Sequence, residues 1–218
     1  MRLQHNTKNL RPHHTLRFIF YPVLSHFTQP SKIKMRIKKA LLVIDMQKGS
    51  FTPKTPRFDT KGVLTRINGL ARLFRQMDRP VIFIQHHGNG TGEFEKNTEE
   101  WELLDELEIE PTDILIDKIA NDVFYKSKLQ SKLKELKIEE LYITGCATDF
   151  CVESTIQSAL TKDFNLTVVK DGHTTGERPH LKAEKVIEHY NWVWQNMIPT
   201  SGKIAVKNSE DIKNEISV

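Results

Sequence analysis

Three side chains that lie far apart in the sequence could carry out a covalent reaction together: Asp45, Lys118 and Cys151. The thiolate form of cysteine is a strong nucleophile, and a nearby ammonium group or the amino terminus of a helix lowers the pKa of a thiol. A carboxylate within reach can accept the thiol proton and later return it to a leaving amine. The combination predicts nucleophilic attack by Cys151, with Asp45 as acid and base and Lys118 beside both.

Each of these residues also has an ordinary structural explanation. An aspartate after a strand commonly caps a turn, a lysine at the end of a strand is usually a solvated charge, and a free cysteine is most often a buried apolar side chain. Taken singly, each residue favours the structural explanation. The chemical interpretation therefore depends on a fold that brings the three side chains together.

The spacing of apolar residues predicts such a fold. Short apolar runs indicate six buried strands, at residues 39–45, 80–86, 113–118, 140–145, 166–171 and 203–206. Apolar residues at three-to-four spacing indicate helices within 63–77, 129–136, 152–160 and 179–197. Alternating strands and helices predict an α/β fold with a parallel sheet and right-handed crossovers. Ligands bind at the carboxyl ends of such strands, which is where Asp45, Lys118 and Cys151 all fall.

Two further segments bear on the pocket and on assembly. Residues 87–113 are polar, rich in glycine at first and then acidic, which predicts a mobile loop and a short helix at the edge of a pocket. The predicted helix 179–197 has a wide apolar surface that includes Trp192 and Trp194. Such a surface is typical of a subunit interface, so we expect a homodimer or homotetramer.

Composition excludes several classes of protein. With 218 residues, 38% of them hydrophobic, the chain can bury a core of its own, and its apolar runs are too short to span a membrane. Two cysteines make neither a disulfide framework nor a zinc site, which predicts free thiols in the cytoplasm. Residues 1–34 hold six basic and no acidic residues, so without them the formal charge of +4 becomes −2. We therefore expect no nucleic-acid partner and no membrane partner.

The first 34 residues differ from the rest in composition. They are basic, contain no acidic residue and are interrupted by prolines, and a patterned sequence begins at Met35. A targeting peptide is one explanation. A mis-assigned start, with Met35 as the true first residue, is favoured because serine is scarce and no amphipathic helix is evident. We expect residues 1–34 to lie outside the mature fold and residues 35–218 to form one domain.

Four stretches of sequence, taken in order, resemble the isochorismatase-like cysteine hydrolases: LLVIDMQKGSF, DKIANDVFYKSKLQSKL, ITGCATDFCVESTIQSAL and VVKDG. The resemblance covers about residues 40–171, and residues 203–206 are similar to the last strand of the family. GCATDFCVEST is the most specific of the matches. The resemblance implies that residues 35–218 form a hydrolase domain with a three-layer, doubly wound, mostly parallel six-stranded sheet. It implies a Rossmann-like strand order of 3-2-1-4-5-6.

The resemblance also implies roles for individual residues. Asp45, Lys118 and Cys151 would form the catalytic triad, and Cys146 would be structural. The peptide bond between Ala147 and Thr148 would be cis and would orient the backbone amides of an oxyanion hole. The substrate, a small molecule, would contact residues of the predicted pocket wall: Gln47, Phe51, His86 with the loop to Phe94, and Tyr125.

Departures from related enzymes narrow the expected activity. Nicotinamidases of the superfamily carry an Asp-x-His metal site shortly after the first helix, whereas residues 51–78 contain Asp59 but no histidine. We therefore expect no metal and no cofactor. True isochorismatases cleave a vinyl ether and can lack the cysteine, so Cys151 favours an amide, ureide or carbamoyl substrate and a thioester-like intermediate. The alternatives are a vinyl ether hydrolase, a non-catalytic binding protein on the same fold, and a thiol redox protein that uses Cys146 and Cys151.

Overall fold

The structure, a computed structural model, describes residues 38–88, 90 and 92–216. Its strands and helices follow one another as β1 (Lys39–Ile44), α1 (Thr60–Gln76), β2 (Val81–His86), β3 (Ile114–Lys118), α2 (Leu129–Leu136), β4 (Glu140–Cys146), α3 (Glu153–Leu160), β5 (Asn165–Thr174), α4 (Ala183–Gln195), β6 (Ile204–Lys207) and α5 (Ser209–Ile216). A 3₁₀ turn at Lys48–Ser50 follows β1, and a π-helical turn at Thr148–Val152 joins β4 to α3. No helix in the described part of the chain is long and apolar enough to span a bilayer.

The six strands form a single sheet in the order β3-β2-β1-β4-β5-β6, and all neighbouring strands are parallel. This confirms the predicted α/β class and the predicted strand order. β1 and β4 lie next to each other at the centre, where the order of the strands reverses. In a sheet of this kind the crevice beyond the carboxyl ends of the two central strands is the expected place for a ligand.

Both faces of the sheet are covered by helices, which gives the predicted three layers. On one face, Leu41 and Val43 of β1 pack in a core with α1 and α5. On the other face, Leu42 and Ile44 pack with α2, α3 and α4. Because successive side chains of a strand point to opposite faces, a strand covered on both sides must be apolar throughout. This is why the central strands were recognisable as unbroken apolar runs.

Several element boundaries differ from the prediction. β5 continues to Thr174, three residues beyond its apolar run, because the end of the strand still pairs with Gly145 and Cys146 of β4. Helix α4 begins at Ala183 rather than at residue 179, since the backbones of Arg178 and Leu181 hydrogen-bond to each other in a turn.

The prediction and the structure differ over two short helices. Helix α5 was not predicted, since its buried face rests mainly on Ile212 and Ile216 and two apolar positions are too few to show a period. The short helix expected in residues 87–113 is absent from the described part of that segment, which consists of turns and a single bridge between Gln47 and Leu103. The predictions for residues 1–34 and Met35 lie outside the described residues.

Gly145 allows the backbones of the two central strands, β1 and β4, to lie very close together. Its φ is +121°, and a Cβ at this position would lie 2.1 Å from the carbonyl oxygen of Ile44. The register between β4 and β5 shifts between Ile143 and Gly145. Only glycine combines this dihedral with so close a backbone contact. Because Ile44 directly precedes Asp45, the contact also sets the position of that carboxylate relative to the turn after β4.

His173, near the end of β5, holds the π-helical turn against α4. Its Nδ1 accepts a hydrogen bond from Thr148 Oγ1 (2.9 Å) and its Nε2–H donates to Asn191 Oδ1 (3.1 Å). The tautomer follows from Asn191, whose amide nitrogen donates to the Lys170 carbonyl (3.1 Å) and leaves Oδ1 as the acceptor. Burial lowers the pKa of His173 to about 4. The imidazole is therefore neutral at physiological pH.

Replacing Gly145 by alanine should lower the free energy of unfolding by about 3 kcal/mol, because the new methyl group meets the backbone of β1 and the dihedral is unfavourable for an L residue. Gly90→Ala is the matched control: φ there is +82°, but a Cβ would meet nothing within 4 Å. The control should cost only about 1 kcal/mol. Urea unfolding of the two variants measures both values. Equal costs would contradict the close approach at Gly145.

Acid should destabilise the protein through His173. The unfolded chain binds a proton at this residue near the ordinary pKa of 6.5, whereas the folded protein binds it only near pH 4. Stability is therefore lost as the pH falls from about 6.5 to about 4, by roughly 1 kcal/mol for each pH unit. Urea unfolding across this range should show a steeper loss in the wild type than in His173→Gln. Parallel pH profiles of the two proteins would contradict a neutral buried imidazole.

Candidate active site

The three side chains singled out in the sequence meet at the carboxyl edge of the sheet. Asp45 follows β1, Lys118 ends β3, and Cys151 lies in the π-helical turn after β4. Lys118 Nζ lies 2.7 Å from Asp45 Oδ2 and 3.2 Å from Cys151 Sγ. The ammonium therefore connects the carboxylate and the thiol.

Lys118 is 1% exposed, which is unusual for a lysine. Besides Asp45 and Cys151, its Nζ contacts the carbonyl oxygen of Ala120 (2.9 Å) and Nδ1 of His86 (3.4 Å). Burial disfavours the positive charge, but the negative charge of Asp45 and the hydrogen bonds to Asp45 and Cys151 outweigh burial and raise the pKa of Lys118. We therefore treat Lys118 as a permanently charged group with a fixed position.

Asp45 has one oxygen engaged and one available. Its Oδ2 receives the hydrogen bond from Lys118, whereas Oδ1 is buried and has no hydrogen-bond partner among the described residues. A buried carboxylate oxygen without a donor is costly and is uncommon in folded proteins. The free oxygen gives Asp45 the capacity to accept a proton inside the site.

Burial favours the neutral thiol of Cys151. It raises the pKa of Cys151, the negative charge of Asp45 raises it further, and Lys118 opposes the shift without reversing it. The sequence predicted the opposite direction, from the ammonium and a helix amino terminus. Burial outweighs both effects, and Cys151 lies near the end of a π-helical turn rather than at the start of an α-helix. A base within reach of the sulfur would therefore be needed to form a thiolate.

Cys146 differs in accessibility. It is 2% exposed, and burial raises the pKa of its thiol to about 12, although the positive charges of Arg57 and Arg178 act in the opposite direction. A buried thiol with so high a pKa is a poor nucleophile.

The cis peptide bond lies one residue earlier than the resemblance implied. It joins Cys146 and Ala147, not Ala147 and Thr148. Thr148 is already the first residue of the π-helical turn and Ala147 is extended in front of it, so the junction between strand and turn falls before Ala147. The side chain of Thr148 is occupied by its hydrogen bond to His173. An oxyanion hole formed by backbone amides of Ala147 and Thr148 stays a prediction.

A cavity of about 370 Å³ opens over Asp45 and Cys151. We call it the triad cavity, and its wall includes Asp45, Ser50, Thr55, Arg57, His86, Phe94, Asn121, Cys146, Ala147, Phe150, Cys151 and Arg178. Its volume is that of a site for a small molecule. The thiol of Cys151 can donate a weak hydrogen bond to Asn121 Oδ1, which lies 3.6 Å from Sγ.

Of the predicted wall residues, the structure brings only His86 and Phe94 to the triad cavity. Gln47 is completely buried. Its side-chain oxygen Oε1 accepts a hydrogen bond from the backbone N–H of His86 (2.7 Å), and its amide nitrogen donates to the carbonyl of Trp101 (2.8 Å). Phe51 packs against the core beneath α1, and Tyr125 is 48% exposed. Sequence position alone did not show which side of these loops faces the site.

Sequence reasoning missed two arginines in the cavity wall. Arg178 forms a two-bond ion pair with Asp149, through Nε to Oδ2 (2.7 Å) and Nη2 to Oδ1 (2.8 Å). This pair lowers the pKa of the Asp149 carboxyl, although burial alone would raise it. Arg57 lies in the loop before α1. Asp149, an acidic residue in the turn after β4, indicated that a basic side chain lies nearby. Nothing in the sequence indicated which basic residue it is.

In the described ranges, no group of three or more His, Cys, Asp and Glu side chains is arranged to hold a metal ion. The triad cavity presents the thiol of Cys151 and the carboxylate of Asp45, and the buried ammonium of Lys118 contacts both. Together they can activate a nucleophile and transfer a proton to a leaving group.

Comparison with known proteins agrees with the fold. A family model described as Isochorismatase domain matches residues 39–197. The uncharacterized isochorismatase family protein YddQ of Bacillus subtilis (strain 168) is 30% identical over 139 residues, which cover 62% of this chain and 77% of YddQ. The ureidoacrylate amidohydrolase RutB of Caulobacter segnis is 28% identical over 193 residues, which cover 71% of this chain and 81% of RutB. The crystal structure of an isochorismatase family protein has a TM-score of 0.71 and 30% identity, covering 77% of this chain and 96% of the other. The extent of the domain match shows that the chain belongs to the isochorismatase family.

Proposed function

We propose that the protein is a cysteine hydrolase that cleaves a C–N bond of a small amide, ureide or carbamoyl compound. The observation that carries the proposal is the position of Lys118 Nζ, within hydrogen-bond distance of both Asp45 Oδ2 and Cys151 Sγ at the floor of a cavity. Nucleophile, base and fixed cation are the parts that covalent catalysis requires.

In the first half of the reaction Asp45 accepts the proton of Cys151 through its free oxygen while Sγ attacks the carbonyl carbon of the substrate. Because burial raises the pKa of the thiol, we expect the proton to leave sulfur during the attack. Lys118 stabilises the negative charge as it moves between carboxylate and sulfur. The backbone amides of Ala147 and Thr148 would hold the oxyanion.

In the second half the tetrahedral intermediate collapses. The C–N bond breaks, Asp45 returns the proton to the leaving nitrogen, and the acyl or carbamoyl group remains on Cys151 as a thioester or thiocarbamate. Asp45 then deprotonates a water molecule that attacks this intermediate. The products are the acid and the amine or ammonia, and the thiol is restored.

Three observations favour amide hydrolysis over the alternatives. The relative RutB is named an amidohydrolase, which supports C–N rather than vinyl ether cleavage. A redox role would need Cys146 as a second reactive thiol, but its pKa of about 12 and its burial make it unreactive. A buried carboxylate oxygen without a hydrogen-bond partner, as in Asp45, destabilises the fold. In a binding protein without catalysis, this oxygen would have no function that offsets the cost.

Assembly and location complete the proposal. Trp194 is buried in the core, whereas Trp192 on the same helix is 65% exposed. We propose that Trp192 lies in the interface of a homodimer or homotetramer, where a large exposed aromatic side chain would be covered. The two free thiols are consistent with action in the cytoplasm on a small-molecule substrate.

Cys151→Ala should reduce turnover by at least about 10³-fold, because it removes the nucleophile. Cys146→Ala should keep activity within about tenfold of the wild type, since it removes only one buried sulfur atom from the wall. The measurement is the release of amine or ammonia from a panel of small amides and ureides, with circular dichroism to verify folding. Similar losses in the two variants would contradict a single nucleophile.

Asp45→Asn should slow formation of the covalent intermediate by about 10²-fold or more, because an amide cannot accept the thiol proton. Asp117→Asn is the matched control: that carboxylate precedes Lys118 in β3 but is exposed and paired with Lys96 (2.7 Å). The control should act within about twofold of the wild type. Rapid-quench mass spectrometry of the modified Cys151 peptide gives both rates. An Asp45→Asn rate equal to that of the control would rule out Asp45 as the base.

A further inference from the structure

We infer that the substrate carries a carboxylate and that Arg57, in the wall of the triad cavity, binds it. This inference rests on the proposed amide hydrolysis and adds the chemical class of the substrate. It follows from the balance of charges in the cavity wall, from the anchoring of Arg57 and from the polar side chains next to it.

The charges around the triad cavity do not cancel. Asp45 is paired with Lys118, and Asp149 is paired with Arg178 through two hydrogen bonds. Arg57 is the remaining charged side chain of the wall, and within the described residues no carboxylate lies within 4.0 Å of its guanidinium. The empty cavity therefore has one excess positive charge, which an anionic group of the ligand would neutralise.

Arg57 is held in place by its inner nitrogen. Nε donates to the carbonyl oxygen of Ser50 (2.7 Å), and the backbone of Arg57 forms an isolated antiparallel bridge with Gly176. A Cβ at Gly176 would lie 2.9 Å from Arg57 Nη1, so the absence of a side chain there provides room for the guanidinium. Among the described contacts, the two outer nitrogens have no hydrogen bond. They form the planar pair of donors that binds a carboxylate best.

Arg57 is half-buried, unlike a fully solvated surface arginine, and it lines the same cavity as Cys151. Its positive charge acts on the thiol of Cys146, the residue that ends β4 next to the nucleophile turn. A partly desolvated guanidinium without a counter-ion is unfavourable in the free protein. Binding of an anion would remove this cost, which makes the free Arg57 a selective receptor rather than a structural ion pair.

The neighbouring wall fits the same class of ligand. Ser50 and Thr55 supply polar groups beside Arg57, while Phe94 and Phe150 give the cavity apolar side walls. A matching ligand would place its carboxylate against Arg57 and its amide or ureide carbonyl at Cys151, with an apolar or planar part in contact with the aromatic residues of the wall.

The first test uses two alkylating reagents that differ only in charge, iodoacetate and iodoacetamide. Both replace the thiol proton of Cys151 and release iodide, so neither requires turnover. The rate with iodoacetate divided by the rate with iodoacetamide, from peptide mass spectrometry of Cys151, should fall about tenfold or more in Arg57→Gln, because the local concentration of anions decreases. Arg72→Gln removes an exposed arginine that pairs with Glu108 on the far side of α1, and this control should keep the wild-type ratio.

The ratio decides the inference independently of catalysis. Equal ratios in the wild type and Arg57→Gln would overturn it. Failure of both reagents to modify Cys151 would overturn both the inference and the proposed nucleophile. A charge-dependent ratio in a protein that hydrolyses no amide would overturn the proposed function and leave the anion site in place.

The second test identifies the substrate class by turnover. N-carbamoylglycine, N-carbamoyl-β-alanine and N-carbamoyl-γ-aminobutyrate are compared with N-ethylurea, N-propylurea and N-butylurea, which match them in length but lack the carboxylate. The wild type should prefer the best carboxylate over its neutral partner by about 10²-fold in kcat/KM, and Arg57→Gln should lose most of this preference through KM. A wild-type preference for the neutral ureas would contradict the carboxylate class.

Discussion

The ion pair between Lys118 and Asp45 is the interaction on which the candidate site depends. β2 lies between β1 and β3, so the pair spans the end of an intervening strand, and His86 of that strand contributes a third contact. An ammonium buried to this extent costs several kcal/mol unless every proton finds an acceptor. The carboxyl ends of three strands must therefore be kept in register for the lysine to be stable at all.

The same burial determines the state of the nucleophile. Removing water strengthens the attraction between Lys118 and Asp45, but it also disfavours a thiolate at Cys151 and keeps the proton on sulfur. A site of this kind cannot rely on a preformed thiolate and needs a base in direct reach. In the proposed reaction the unpartnered oxygen of Asp45 satisfies that need.

The sequence was sufficient for features that follow from regular patterns. Continuous apolar runs revealed the central strands because both faces of the sheet are covered there, whereas the edge strands β3 and β6 are partly exposed and were recognised from shorter apolar runs. The placement of Asp45, Lys118 and Cys151 at the carboxyl ends followed from strand alternation, and the structure does bring them together. Resemblance to a family added the order of the strands, which local patterns do not encode.

Features that depend on contacts between distant segments were not predictable in the same way. Gln47 was expected in the pocket, but its amide satisfies the backbones of His86 and Trp101, which no local pattern indicates. Arg57 reaches the cavity only because the loop before α1 folds back against Gly176. The direction of the Cys151 pKa was wrong because a sequence shows neighbouring charges and not the depth of burial.

The residues around the triad cavity come from two kinds of structural element, and this affects how the ligand specificity of the protein could evolve. The triad comes from strand ends and the turn after β4, whose positions are tied to the core, whereas Arg57 and Arg178 come from connecting loops outside the sheet. Loops accept substitutions and insertions more readily than core strands do. New ligand preferences can therefore arise by altering residues 50–58 and 175–182 while the proposed triad is kept, so that one scaffold can diversify in specificity without a change in its strand ends.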